Sequence, residues 1–265
     1  MRHLFNFCFA VLLLASCKDP ITIDIPNNDP ILVVEGVVCS ELDSSFVKLT
    51  LSSNYYASPN YKTVETATVK INGVDFIHKG SGLYRPFDGY IGKVDSTYDL
   101  SIEYDNKTYT SKSTMVPMFR VDSLSQTYKQ KEGFLPAGNS ISYWGFDDRT
   151  PIKYTYFQSG FFDGDKGKDS VQNNLVLFDN NSIPLGKVYA FELPFTRFNS
   201  GTLFFCVFRS IDKAMYDFLK EYATQSSGAP GPFRQQPANL PSNIKGGAVG
   251  YFTTYDVKRF RYLVK

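Results

Sequence analysis

The sequence predicts a mainly β protein in two parts. An N-terminal immunoglobulin-like β-sandwich is followed by a second β-sandwich or barrel-like domain carrying one amphipathic helix. Three observations carry this expectation. Aromatic residues make up 16% of the chain, mostly Tyr and Phe among many β-branched residues, a palette suited to pleated, half-buried surfaces. Short runs alternate apolar with polar side chains at period two. Turn pairs such as Asn72-Gly73 and Asp105-Asn106 separate those runs at close intervals.

Residues 1–16 read as a lipoprotein signal peptide. Basic Met1-Arg2-His3 precedes an apolar stretch from Leu4 to Ala15, which is too short to span a bilayer. Leu14-Ala15-Ser16-Cys17 closes it as a lipobox, a small-residue cleavage site with cysteine at the first mature position. An ordinary secretory leader cut elsewhere is the rival reading. With the lipobox, Cys17 is the lipidation site, and a multiply acylated cysteine anchors a protein stably. The expected location is the outer membrane, lipid-anchored. The charged start Cys17-Lys18-Asp19 resembles export signals of surface lipoproteins and favours the exposed face.

Residues 17–29 read as a polar tether, with Pro20 and Pro26 within it and Pro30 just beyond discouraging regular structure. The sandwich is expected over 30–117. Leu32-Val33-Val34 and Val37-Val38 belong to a buried strand; Val47, Leu49 and Leu51, then Val69 and Ile71, then Leu100, Ile102 and Tyr104 alternate with polar neighbours. Tyr98, just before Leu100, suggests a contact like a tyrosine corner. The β-rich remainder, 118–265, has candidate strands at 121–129, 141–146, 152–159, 174–179, 187–195, 202–209, 247–253 and 257–264. The helix falls near 211–225, where Ile211, Met215, Phe218, Leu219 and Tyr222 recur at helical spacing, with Ser210 as N-cap.

Net charge is +2, so there is no nucleic-acid footprint. The charge is uneven: residues 17–117 carry 9 basic and 13 acidic side chains, residues 118–265 carry 18 and 13. Cys39 and Cys206 both sit in apolar runs, the usual setting of a buried free thiol, although the compartment permits a disulfide. His78 is the one histidine beyond the leader, so a multi-histidine zinc site is excluded by count, and no nucleophile motif accompanies it. Asp163, Asp165 and Asp169 alternate like a calcium loop, but the terminal Glu is missing and two lysines intrude; a solvated hairpin loop is the simpler reading. No catalytic, metal or cofactor site is assigned. The candidate binding residues are Tyr55, Tyr56 and Tyr61 in a turn-rich loop, and Phe233 and Arg234 in a Pro- and Gly-rich segment between Ser226 and Gly247. The alternative for each group is simple packing against the domain surface.

Several features combine further: the lipobox, Val33-Val34-Glu35-Gly36, Gly82-Leu83-Tyr84, and Tyr98 and Leu100 followed by Tyr109. The run Pro241-Ser242-Asn243-Ile244-Lys245-Gly246-Gly247-Ala248-Val249-Gly250-Tyr251-Phe252 then follows the helix. Together these resemble a Bacteroidota outer-membrane lipoprotein family known as domain of unknown function 4249. The resemblance implies a non-enzymatic accessory binding protein for a TonB-dependent receptor or its ligand, and it gives a role to Cys17 alone. An adhesion or envelope-scaffold lipoprotein is the alternative, and a surface hydrolase working through carboxylates is a third reading.

Overall fold

The computed structural model describes residues 29–53, 61–146, 153–163, 168–180, 188–193, 196–226 and 239–265. Alternating side chains build the first seven strands: β1 (Leu32–Cys39), β2 (Phe46–Leu51), β3 (Thr68–Ile71), β4 (Val74–His78), β5 (Leu83–Arg85), β6 (Thr97–Tyr104) and β7 (Lys107–Thr114). Val34, Val47, Leu49, Ile71, Leu100 and Ile102 turn inward and are wholly buried in one core. Asn72 and Gly73, like Asp105 and Asn106, take positive φ at both turn positions, which is what two-residue hairpins require. The Tyr98 hydroxyl accepts the Lys93 N–H at 2.6 Å, a short-range pin of the kind a tyrosine corner makes.

The second half supplies β8 (Arg120–Lys129), β9 (Gly138–Phe146), β10 (Tyr154–Asp163), β11 (Lys168–Asp179), β12 (Val188–Glu192), β13 (Leu203–Ile211), helix α1 (Lys213–Ser226) and β14 (Val249–Leu263). Eleven strands form one mixed sheet in the order β11-β10-β13-β14-β1-β2-β5-β4-β3-β6-β7. The small sheet β12-β9-β8 lies apart from it in hydrogen bonding, and the result is sandwich-like with no closed barrel. A second core, rich in edge-on aromatic pairs, joins Tyr143 of the small sheet to Phe157, Phe204 and Phe208 of the large one.

Strand β14 departs from expectation. Two strands, 247–253 and 257–264, are predicted; one strand of 15 residues is found. Its first half runs parallel to β1, from Val33 opposite Val249 to Cys39 opposite Tyr255, and its second half runs antiparallel to β13. Thr253, Thr254 and Asp256, which read locally as a polar break, are the hand-over point between partners. Thr253 and Thr254 are buried, and the Asp256 carboxylate accepts the Ser40 hydroxyl at 3.0 Å and the Met118 N–H at 2.8 Å. The C-terminal segment also sends Ile244, Ala248 and Phe252 into the first core, so residues 30–117 do not build that core alone.

Ahead of β14, Asn243 acts as a substitute strand neighbour. Its amide nitrogen donates to the Phe252 carbonyl at 2.6 Å, and its amide oxygen accepts the Phe252 N–H at 2.8 Å. Removing that side chain leaves two main-chain groups beside a buried residue without partners. Asn243→Ala is therefore expected to cost roughly 2–4 kcal/mol, read as a lower urea midpoint at unchanged slope.

The helix N-cap lies two residues later than predicted. Ser210 lies in β13, and Asp212 is the N-cap: its carboxylate accepts the Met215 N–H at 2.8 Å and the Ser113 hydroxyl. Burial raises the Asp212 pKa, opposed by those hydrogen bonds. Because the folded value lies above the unfolded one, the stabilisation linked to its proton is complete below the unfolded pKa and fades as pH rises through the folded value. Asp212→Asn keeps the cap without the buried charge, so it should gain on the parent as pH rises above the ordinary carboxylate range, whereas Asp212→Ala loses about 1–2 kcal/mol. Thermal unfolding of the three proteins across that range checks both expectations.

Cys39 and Cys206 are free and buried. They flank β14 on opposite sides, opposite Tyr255 and Phe260, too far apart for a disulfide. Burial pushes the Cys206 thiol up to about 12, leaving it inert.

Candidate functional site

The register of β1 and its neighbours decides which loops share an end of the molecule. The chain enters at Asp29–Pro30. There Leu32 stands opposite Leu51 and Val33 opposite Val249, and the Ser52 N–H donates to the Ile31 carbonyl. The end of β2, the start of β14 and the chain's entry therefore coincide. Leu51 also donates to the Lys62 carbonyl, which brings Tyr61 to the same end, 65% exposed.

Two further elements point the same way. Thr68 pairs with Glu103, so the β6–β7 hairpin tip lies beside residues 62–66. Thr66 and hairpin residues 103–108 line a shallow depression of about 460 Å³ that presents Glu103, Asp105 and Lys107. Helix α1 starts at the level of Thr254, through Asp212 and Ser113, and packs Phe218 on Tyr251 at 5.1 Å. It therefore runs towards Val249 and delivers Ser226 to this end as well.

Of the residues singled out from sequence, Tyr61 is placed in this group. Cys17, Tyr55, Tyr56, Phe233 and Arg234 lie outside the described residues, but the segments carrying the four binding residues join the fold here, after Ser53 and after Ser226. Asp165 of the calcium-like run also lies outside; its flanks are a hairpin, with Asp163 opposite Lys168. Among the described residues, no group of three His, Cys, Asp or Glu side chains is arranged to hold a metal ion. Nor is any helix among them long and apolar enough to cross a membrane.

His78 is half-buried at the end of β4, its ring 5.2 Å from that of Tyr84. Asp212, the carboxyl raised by burial, is occupied by the helix cap and Ser113 rather than open to a substrate.

Two surfaces escaped the sequence reading. Opposite the entry end, Leu42, Phe87 and Ile91 are exposed on neighbouring loops, which the Asp43 N–H joins through the Tyr90 carbonyl. On the small sheet, Trp144 is exposed between hydroxyl side chains. The signal for it was the alternation Ile141-Ser142-Tyr143-Trp144, which sends Ile141 and Tyr143 into the core and Ser142 and Trp144 outward.

A family model described as Domain of unknown function (DUF4249) matches residues 18–261. No curated protein matches the chain.

Proposed function

Because the chain belongs to the DUF4249 family, whose description names no activity, we propose from its residues that it is a non-enzymatic, lipid-anchored accessory protein of the outer membrane. It binds a TonB-dependent receptor or that receptor's ligand. The observation that carries the reading is convergence at one end. Residues Asp29, Ser53 and Ser226, exposed Tyr61 and the acidic and basic hairpin depression share one end of the fold. A tether of 17–29, fully extended, spans at most about 45 Å, which keeps that end within reach of a membrane-embedded partner. Tyrosine and mixed charge suit such a contact, because they combine apolar area with hydrogen bonding.

The test is co-purification of the full chain, tagged at its C-terminus, from detergent-solubilised outer membranes. Recovery of a TonB-dependent receptor, lost on Tyr61→Ala or in the unlipidated Cys17→Ala protein, is the expected result. Recovery of the chain alone overturns the reading. The exposed Leu42, Phe87 and Ile91 favour a second reading, an adhesion or scaffold protein whose far end meets another protein. In that case deletion alters attachment and leaves nutrient-limited growth unchanged.

A further inference from the structure

The outer face of the small sheet exposes Trp144, Ser123 and Thr127. Cross-strand pairing sets its membership: Trp144 stands between Ser123 and Ala190, Ser142 between Ser125 and Glu192, and Thr127 beside Ser140. Tyr143 and Ile141 occupy the other face and are buried, whereas Trp144 remains 41% exposed. Its indole is not loose. Nε1 donates to the Ser125 hydroxyl at 2.6 Å, which fixes the ring and uses its polar atom, so its exposed apolar surface remains for a ligand.

One diagonal position away, Glu192 is held as a fixed acceptor. Ser140 donates to it at 2.5 Å, Lys129 lies at 3.4 Å and Arg197 at 3.6 Å. These partners, the Ser140 hydroxyl foremost, hold the Glu192 carboxyl below the usual range. Arg197 is buried, its side chain only 5% exposed, and so acts as a support for Glu192 and not as a free cation. Further along the face, Arg120 and Asp122 pair with each other. Both carboxylates of the face are thus already paired with cations. What it offers outward is an aromatic ring, the hydroxyls of Ser123, Ser125, Thr127 and Ser142, and one ionised acceptor.

We propose that this face binds a neutral glycan, with one pyranose ring stacked on Trp144 and its hydroxyls bonded to Ser142, Ser125 and Glu192. The chemistry is specific on three counts. The C–H bonds of one sugar face carry partial positive charge and suit the negative face of an indole. A fixed carboxylate accepts two neighbouring sugar hydroxyls, and serine hydroxyls donate or accept as needed. A face whose charges are already paired complements an uncharged ligand; a polyanion or polycation would have to break those pairs. From Trp144 to Ser142 the strand extends roughly 7 Å, enough for one or two sugar units. This inference rests on neither the anchor nor the receptor contact, because the face lies on a different sheet from the entry end.

Trp144 is the one tryptophan in the chain, so emission excited at the red edge, where tyrosine does not absorb, reports this site and no other. The full chain is titrated with cellohexaose, xylohexaose, mannohexaose and maltohexaose, and with a hexamer of galacturonic acid as the charged comparison. The expected result is a saturable emission shift, with protection from acrylamide quenching, for at least one neutral hexasaccharide and weaker or no response to the acidic one. Calorimetry then follows the variants. Trp144→Ala weakens binding by at least about tenfold, Trp144→Phe keeps the aromatic face and most of the affinity, and Glu192→Gln loses an intermediate factor. Far-ultraviolet circular dichroism confirms that each variant is folded. The proposal is overturned if no neutral hexasaccharide responds at about 1 mM, if the acidic hexamer binds more tightly, or if Trp144→Ala binds like the parent.

Discussion

Replacing Gly250 with alanine is expected to lower the unfolding free energy by roughly 4 kcal/mol, the largest loss for a change of one methyl group in this protein. Two causes add. Gly250 has φ +116°, a conformation that side chains with a Cβ rarely adopt, and its added carbon would lie 2.0 Å from the Val34 carbonyl oxygen. Backbone cannot yield as a flexible side chain can, so the parallel ladder between β1 and β14 must open locally. Phe252, two residues on, is seated by that ladder in the first core. Urea unfolding is the measurement. A midpoint close to the parent's would show that β14 does not lie in this register against Val34.

Truncating Phe252 itself should cost about 3–5 kcal/mol, the ordinary loss for emptying a phenylalanine site in a core that cannot collapse. Phe252 is fully buried, and the space it uses is reserved for it by Gly36. A Cβ on Gly36 would approach Phe252 Cδ2 to 2.8 Å. The pair therefore makes a second, sharper expectation. Gly36→Ala alone overpacks the site by about 1–3 kcal/mol, while the same change in a Phe252→Ala background is nearly free. The two single losses would then exceed the loss in the double variant. Simple additivity would mean that the residues do not share that space.

Local patterning made the N-terminal strands readable. Leu49, Ile71 and Ile102 point inward because each alternates with polar residues, and Asn72-Gly73 turns because its backbone tolerates positive φ. Long-range pairing was not readable in the same way. That Val33 meets Val249 depends on a contact across most of the chain, and the run Thr253-Thr254-Tyr255-Asp256 carries no local sign that it is a change of partner rather than a turn. The helix cap shows a narrower failure. Ser210 and Asp212 are both good caps, and the choice between them was made by β13, which claims Ser210 for its ladder with Asp256. For the candidate site, the run of tyrosines was visible as composition. The grouping of Tyr61 with the β6–β7 hairpin and the end of the helix was a matter of register. Trp144 was missed because a strand that looks amphipathic in the usual way draws attention to its buried face.

The position of β1 in the sheet has a mechanical consequence. A strand at a sheet edge can be peeled away one hydrogen bond at a time, but β1 is flanked by β2 on one side and β14 on the other over nearly its whole length. A pull on the N-terminus directed along the strand loads both ladders in shear, so many bonds must fail together. The same pull is transmitted through β14 into β13 and hence into the second core, which shares the load. The molecule is built so that β1 is held against traction from both sides.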